Sequence, residues 1–140
     1  MKKNSYSQNG WSGSNFDSKL SAKDITSKIR VFVKNQYPEC KFSVTKESFS
    51  GGSAINIALM YSPYEVRSEK GIANDYYLQC SLYGKDSQLN ENGNEILKNV
   101  VGYANSFNYD DSDSMTDYFD TNFYLHFHVG TWQKNFQVAK

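Results

Sequence analysis

Residues 41–59, KFSVTKESFSGGSAINIAL, decide the fold of this chain. Phe42 and Val44 alternate with Lys41, Ser43 and Thr45, and Ile55, Ile57 and Leu59 alternate with Ala54, Asn56 and Ala58. A period of two sends alternate side chains to opposite faces of an extended strand, so each run reads as a half-buried β-strand. Between them Glu47 to Ser53 must reverse the chain, and Gly51-Gly52 supplies positive φ without a Cβ clash. A glycine pair after a strand also suggests a phosphate cradle. Such a cradle needs the amides of a following helix N-terminus and a Lys-Ser/Thr pair. Here the glycines lead into a β-branched strand instead, so the stretch is a hairpin corner.

Upstream, Ser21-Ala-Lys-Asp24 fits a capping box. Ile25, Ile29, Phe32 and Val33 then fall on one helical stripe, Lys23, Lys28, Arg30 and Lys34 take the remaining surface, and Pro38 stops the helix near Gln36. Residues 1–20 are rich in Ser, Asn, Gly and Lys, with Tyr6, Trp11 and Phe16 spaced singly. They bury too little apolar area to offset ordering entropy and read as a flexible N-terminal arm ahead of a single domain, 21–140.

Downstream, residues 61–73 read as irregular or briefly helical, and 75–83 as a third strand. A second helix spans 90–107, with Ile96, Leu97, Val100, Tyr103, Ala104 and Phe107 on one face and Gly102 as a mild interruption. In 123–129, Phe123, Leu125, Phe127 and Val129 alternate strictly with Tyr124, His126 and His128. Helix, paired strands, helix and strand imply an α+β two-layer sandwich. Its antiparallel sheet turns Phe42, Val44, Ile55, Ile57, Phe123, Leu125 and Phe127 toward both helices. The other face shows Ser43, Thr45, Asn56, His126 and His128.

The bulk composition narrows the classes. The 140 residues suit one core, and aromatics at 16% supply buried area despite a mean hydropathy of -0.68. No apolar run approaches the roughly 18 residues of a membrane span, and MKKNSYSQNGWSGSNF lacks the apolar segment of a secretory signal. The expectation is a cytoplasmic protein without membrane contact, whose two cysteines, Cys40 and Cys80, are reduced and structural. Residues 1–50 carry nine Lys/Arg against four acids, a surplus of five positive charges mirrored by five negative over 51–140. Such a dipole can steer a charged partner.

Three constellations carry candidate chemistry. NYDDSDSMTDYFDTN, residues 108–122, holds Asp110, Asp111, Asp113, Asp117 and Asp120. An EF-hand count from Asp111 lacks the turn glycine and the closing Glu, so calcium is set aside. Spaced carboxylates among aromatics can instead mimic phosphates in a basic nucleic-acid groove of a partner protein. Alternatively, Lys23, Lys28, Arg30 and Lys34 with Trp11 form a nucleic-acid-binding set, the lysines tracking phosphates and the indole stacking a base. His126 and His128 share a strand face and could offer two metal ligands, with an aspartate of the preceding loop as a third, but strand-face histidines more often sit half-solvated among tyrosines, so no metal or cofactor is expected. No G-x-S-x-G, H-E-x-x-H, G-x-x-x-x-G-K-[ST] or C-x-x-C occurs, and the chain reads as a non-enzyme.

IRVFVKNQYPECKFSVTKESFSGGSAINIALMYSP, residues 29–63, resembles the large polyvalent protein-associated domains of the twenty-ninth type. Tyr37-Pro38, Lys41-Phe42-Ser43-Val44, Gly51-Gly52 and Pro63 stand at that family's motif positions. FNYDDSDSMTDYFDTNFYLHFHVGTWQKNFQV resembles its Asp-Ser-Asp-x-Met-Thr-Asp-Tyr-Phe block and closing strand. Glu39-Cys40 replaces a favoured glycine, and Tyr61-Ser62 an acidic Asp-Gly. The resemblance implies a protein of phages or conjugative elements, with no catalytic motif to carry over. It further implies a small counter-defence protein whose partner is a host defence nuclease, such as a CRISPR effector, or its guide complex.

Overall fold

The computed structural model describes residues 11–50, 52–74, 77–82, 84–110 and 121–139. Helix α1 is Ala22–Gln36. The Ser21 hydroxyl accepts from the Asp24 amide at 3.1 Å, and the Asp24 carboxylate accepts from the Ser21 amide at 3.0 Å. This reciprocal box starts the helix, and its hydrogen bonds hold the Asp24 carboxyl below its ordinary pKa. At the other end the Tyr37 N–H reaches the Val33 carbonyl at 2.9 Å, and Pro38 cannot continue the ladder.

Strands β2, Lys41–Phe49, and β3, Gly52–Ser62, form the hairpin. Phe49 stands opposite Gly52, so the strand pairing reaches into the expected turn span, Glu47 to Ser53. Gly52 has φ 148°, a conformation that a side chain would strain. A short helix α2, Glu69–Ala73, follows, and the expected third strand is reduced to β4, Leu78–Gln79. Helix α3, Glu91–Asn105, starts where the Asn90 side chain accepts from the Gly93 amide. Three strands follow: β5, Tyr109–Asp110; β6, Tyr124–Val129; and β7, Gln137–Val138.

The main sheet runs β2-β3-β6-β4, with β7 beside the end of β3. The α+β architecture, with two helices on one face, is as expected. Ile25, Ile29 and Val33 of α1 share one core with Ile96, Leu97 and Val100 of α3 and with Ile55, Ile57, Leu125 and Phe127 of the sheet. Phe32 and Tyr103 join the helices by stacking at 4.0 Å and 7°.

One pairing corrects the expectation of an antiparallel sheet. β6 runs parallel to β3, with Ala54–Leu59 matched to Tyr124–Val129. The crossover is the reason: α3 carries the chain back over the sheet, so the strand after it starts from the same end as β3. The sheet is therefore mixed.

Residues 11–20, the second half of the expected arm, lie against the end of α3. Trp11–Ser12 forms a strand, β1, antiparallel to β5. The Gly13 amide donates to the Asn108 carbonyl at 2.8 Å and the Asn15 amide to the Ser106 carbonyl at 2.7 Å. A Cβ on Gly13 would overlap the carbonyl oxygens of Asn105 and Ser106, so only glycine permits this approach. Phe16 adds an edge-to-face contact with Tyr109 at 5.0 Å. Residues 1–10 lie outside the described residues.

Candidate functional site

The described part of the aspartate-rich segment begins at β5. Asp110 stands opposite Trp11 in β1 and opposite Thr121 in an antiparallel bridge. The Thr121 hydroxyl and the Asn122 amide both donate to the Tyr109 carbonyl, at 2.9 and 3.1 Å. Beneath them the buried Asn108 side chain donates to the Phe123 carbonyl at 3.0 Å and accepts from the amides of Phe123 and Tyr109 at 3.2 and 2.9 Å. A buried, fully bonded amide of this kind rigidifies what it joins. The two ends of the acidic segment thus meet on a clamped base. Asp111, Asp113, Asp117 and Asp120 lie outside the described residues.

The basic set is dispersed. Lys23, Lys28 and Lys34 are exposed on α1. At about 100° per residue, Lys23 and Lys34 share a stripe, while Lys28 lies roughly 140° from Lys23. Arg30 is committed elsewhere: its Nε and Nη2 donate to the Val44 carbonyl at 3.0 and 2.8 Å. That double bond satisfies an acceptor on the edge strand β2. Trp11 sits beside Asp110 in the small β1–β5 sheet, so the structure pairs it with the acidic candidate and not with α1.

The sheet face away from the helices forms a third region. Registered across it are Ser43, Ala58 and His128; Thr45, Asn56 and His126; and Glu47, Ala54 and Tyr124. Gln79 follows His128 in the first row. His126 and His128 have ring centroids 6.4 Å apart. Burial, and secondarily His126, lowers the pKa of His128 below its ordinary value. Among the described residues no group of three or more His, Cys, Asp or Glu is placed to hold a metal ion. Sequence parity found both histidines on this face. It missed Phe49, at the hairpin end, and Tyr77, which precedes a strand too short to show alternation.

A groove of about 1200 Å³ runs between residues 82–91 and α3. Asp86 shapes its wall. Burial would raise this carboxyl, but amide bonds from Ser81 at 2.7 Å and Gln88 at 2.8 Å outweigh that and lower it. Its role is to pin the loop. Cys80 nearby is a free, buried thiol, pushed up to about 12 by burial and then by the Asp86 charge, so it is not a thiolate. Cys40 is also free and buried.

The profile of large polyvalent protein associated domain 29 matches residues 20–129. The chain belongs to this family. The match runs from the residue before the α1 cap to the last residue of β6, so the polyvalent domain comprises the hairpin, both long helices and the central parallel pair. Membership places the chain among domains associated with phages and other mobile elements. No curated protein and no solved structure matches it. No helix among the described residues of this polyvalent domain is long and apolar enough to cross a membrane.

Proposed function

We propose that this polyvalent domain acts by binding and not by catalysis. In this reading it is a mobile-element counter-defence protein that inhibits a host defence nuclease, such as a CRISPR effector or its guide complex. Family membership supplies the mobile-element context. The observation that carries the rest is the clamped base, where Asp110 and Thr121 face each other above Asn108. The sequence between those two residues carries four further aspartates, Asp111, Asp113, Asp117 and Asp120. Carboxylates spaced in this way compete with phosphates for a basic groove, because attraction there is mostly charge.

The test is a cleavage assay with a defence nuclease captured on the immobilised chain from a defence-competent lysate. The wild-type chain should inhibit, and Asp111→Lys with Asp113→Lys should weaken inhibition at least about tenfold, as expected when charged contacts in an interface are reversed. Unchanged inhibition by the charge-reversed chain would remove the acidic segment from the contact surface.

A further inference from the structure

The outer stripe of α3 carries charges in a pattern that complements itself. At about 100° per residue, Glu91, Glu95, Lys98, Gly102 and Asn105 fall within roughly 40° of one line, spaced alternately four and three residues apart. Glu91, Glu95, Lys98 and Gly102 are exposed, and Asn105 is half-buried. Ile96, Val100 and Ala104 take the opposite side of the helix, in the core. Alternating four-three spacing is the seam along which two helices pack side by side. A Cβ on Gly102 would meet nothing within 4 Å, so the seam is open there.

This stripe forms one wall of the groove of about 1200 Å³, and residues 82–91 form the other. The apolar part of its lining is Leu82, Leu89, Leu97 and Val101. Three turns of helix, about 16 Å long and 10 Å across, fill a cylinder on the order of 1300 Å³, so the groove has the size of a helix segment. Its charges select the occupant. The Asp86 carboxylate is taken by the amides of Ser81 and Gln88. Lys85 and Lys98, against Glu91 and Glu95, have no ion pair among the described residues. Two of each sign sum to zero, so the groove complements neither a polyanion nor a polycation. Glu91 and Glu95, four apart, repel each other along the helix, and a cation brought from outside relieves that repulsion.

We propose that the groove is filled by α3 of a second copy of this chain, antiparallel across a twofold axis between Glu95 and Lys98. Glu95 then faces the partner's Lys98, and Lys98 faces the partner's Glu95. Glu91 faces the partner's Gly102, where there is room for it. A twofold contact repeats every pair, so one match of charge counts twice. A parallel arrangement would instead set Glu95 against Glu95 and Lys98 against Lys98, which like charges oppose. In the antiparallel arrangement each α3 lies between the other α3 and the other copy's residues 82–91, so a single contact fills both grooves. It uses no residue of the acidic segment, and therefore stands or falls separately from the counter-defence reading.

Sedimentation equilibrium of the full chain at low salt tests this. The wild type should dimerise. Glu95→Lys and Lys98→Glu each set like charges across the axis twice, and each should weaken dimerisation at least about tenfold. An equimolar mixture of the two variants should form a mixed dimer, because one helix is then wholly basic at these positions and the other wholly acidic. The double variant Glu95→Lys/Lys98→Glu should associate as wild type, since both pairs regain opposite signs. The substituted positions are exposed, so every variant should melt as the wild-type monomer does. A wild-type chain still monomeric at about 0.1 mM would overturn the proposal. So would single reversals that leave the dimer intact, or a double reversal that fails to restore it.

Discussion

Strands β3 and β6 present two faces built on the same backbone and opposite in chemistry. Toward the helices stand Ile55, Ile57, Leu59, Leu125, Phe127 and Val129, none more than 6% exposed. Away from them stand Ala54, Asn56, Ala58, Tyr124, His126 and His128. A period of two makes this possible, since each residue belongs wholly to one side. The difference teaches that the residues that build the core and those that remain open in this fold are separable by parity, one residue along the chain.

The largest effect should come from crossing that divide. Phe127→Ala opens a cavity in the covered face and should cost about 3–5 kcal/mol in a urea titration. His126→Ala, its neighbour, should stay within about 0.5 kcal/mol. Comparable losses from the two would break the distinction between the faces.

The same divide runs through α3 and can be sharpened with glycines. Gly93 packs so closely that a Cβ would overlap the Val66 carbonyl, whereas Gly102 has nothing within 4 Å. Gly93→Ala should therefore destabilise by about 1–3 kcal/mol through overpacking. Gly102→Ala should stabilise by about 0.5–1 kcal/mol, the ordinary helix preference for alanine over glycine. Melting curves of the two variants should move in opposite directions.

Much of the covered face was legible because its signals are local. Ser21 and Asp24 are three residues apart, and the alternation of Phe42 and Val44 or of Leu125 and Phe127 needs no partner to be read. What escaped was long-range. The parallel match of Ile55 with Leu125 depends on a crossover that periodicity does not encode. The contact of Gly13 with Ser106 and the bond from Arg30 to Val44 join segments with no shared pattern. Of the candidate site, parity placed His126 and His128 on one face. The docking of Trp11 beside Asp110 needed the tertiary structure.

His128 tests the divide by pH. It lies on the open side yet is half-buried, and its folded pKa is depressed by burial first and by His126 second. Between that lowered value and the ordinary value near 6.5, the unfolded chain binds more protons. Stability from this group is thus complete above about pH 6.5 and declines as pH falls below it. Asp86, also depressed, contributes above its ordinary value of 3.8, and that contribution is lost as pH falls through the lowered one. The urea midpoint should fall modestly from pH 7.5 to about 5.5, and His128→Gln should flatten that slope while leaving the acid limb. An unchanged slope would make His128 as solvated as an open-face residue is by default.

The smallest effect concerns a buried polar group in the small β1–β5 sheet. Other buried polar groups are bonded: the Thr26 hydroxyl donates to the Ala22 carbonyl at 2.7 Å, and Asn108 uses both ends of its amide. Ser12 departs from this rule, its buried hydroxyl having no partner among the described residues. A desolvated hydroxyl without a bond opposes folding, so removing it costs nothing and relieves a penalty. Ser12→Ala should raise stability by up to about 1 kcal/mol, read as a small increase in melting temperature. A loss of that size would instead mean that the hydroxyl is bonded in solution, and that this corner obeys the same rule after all.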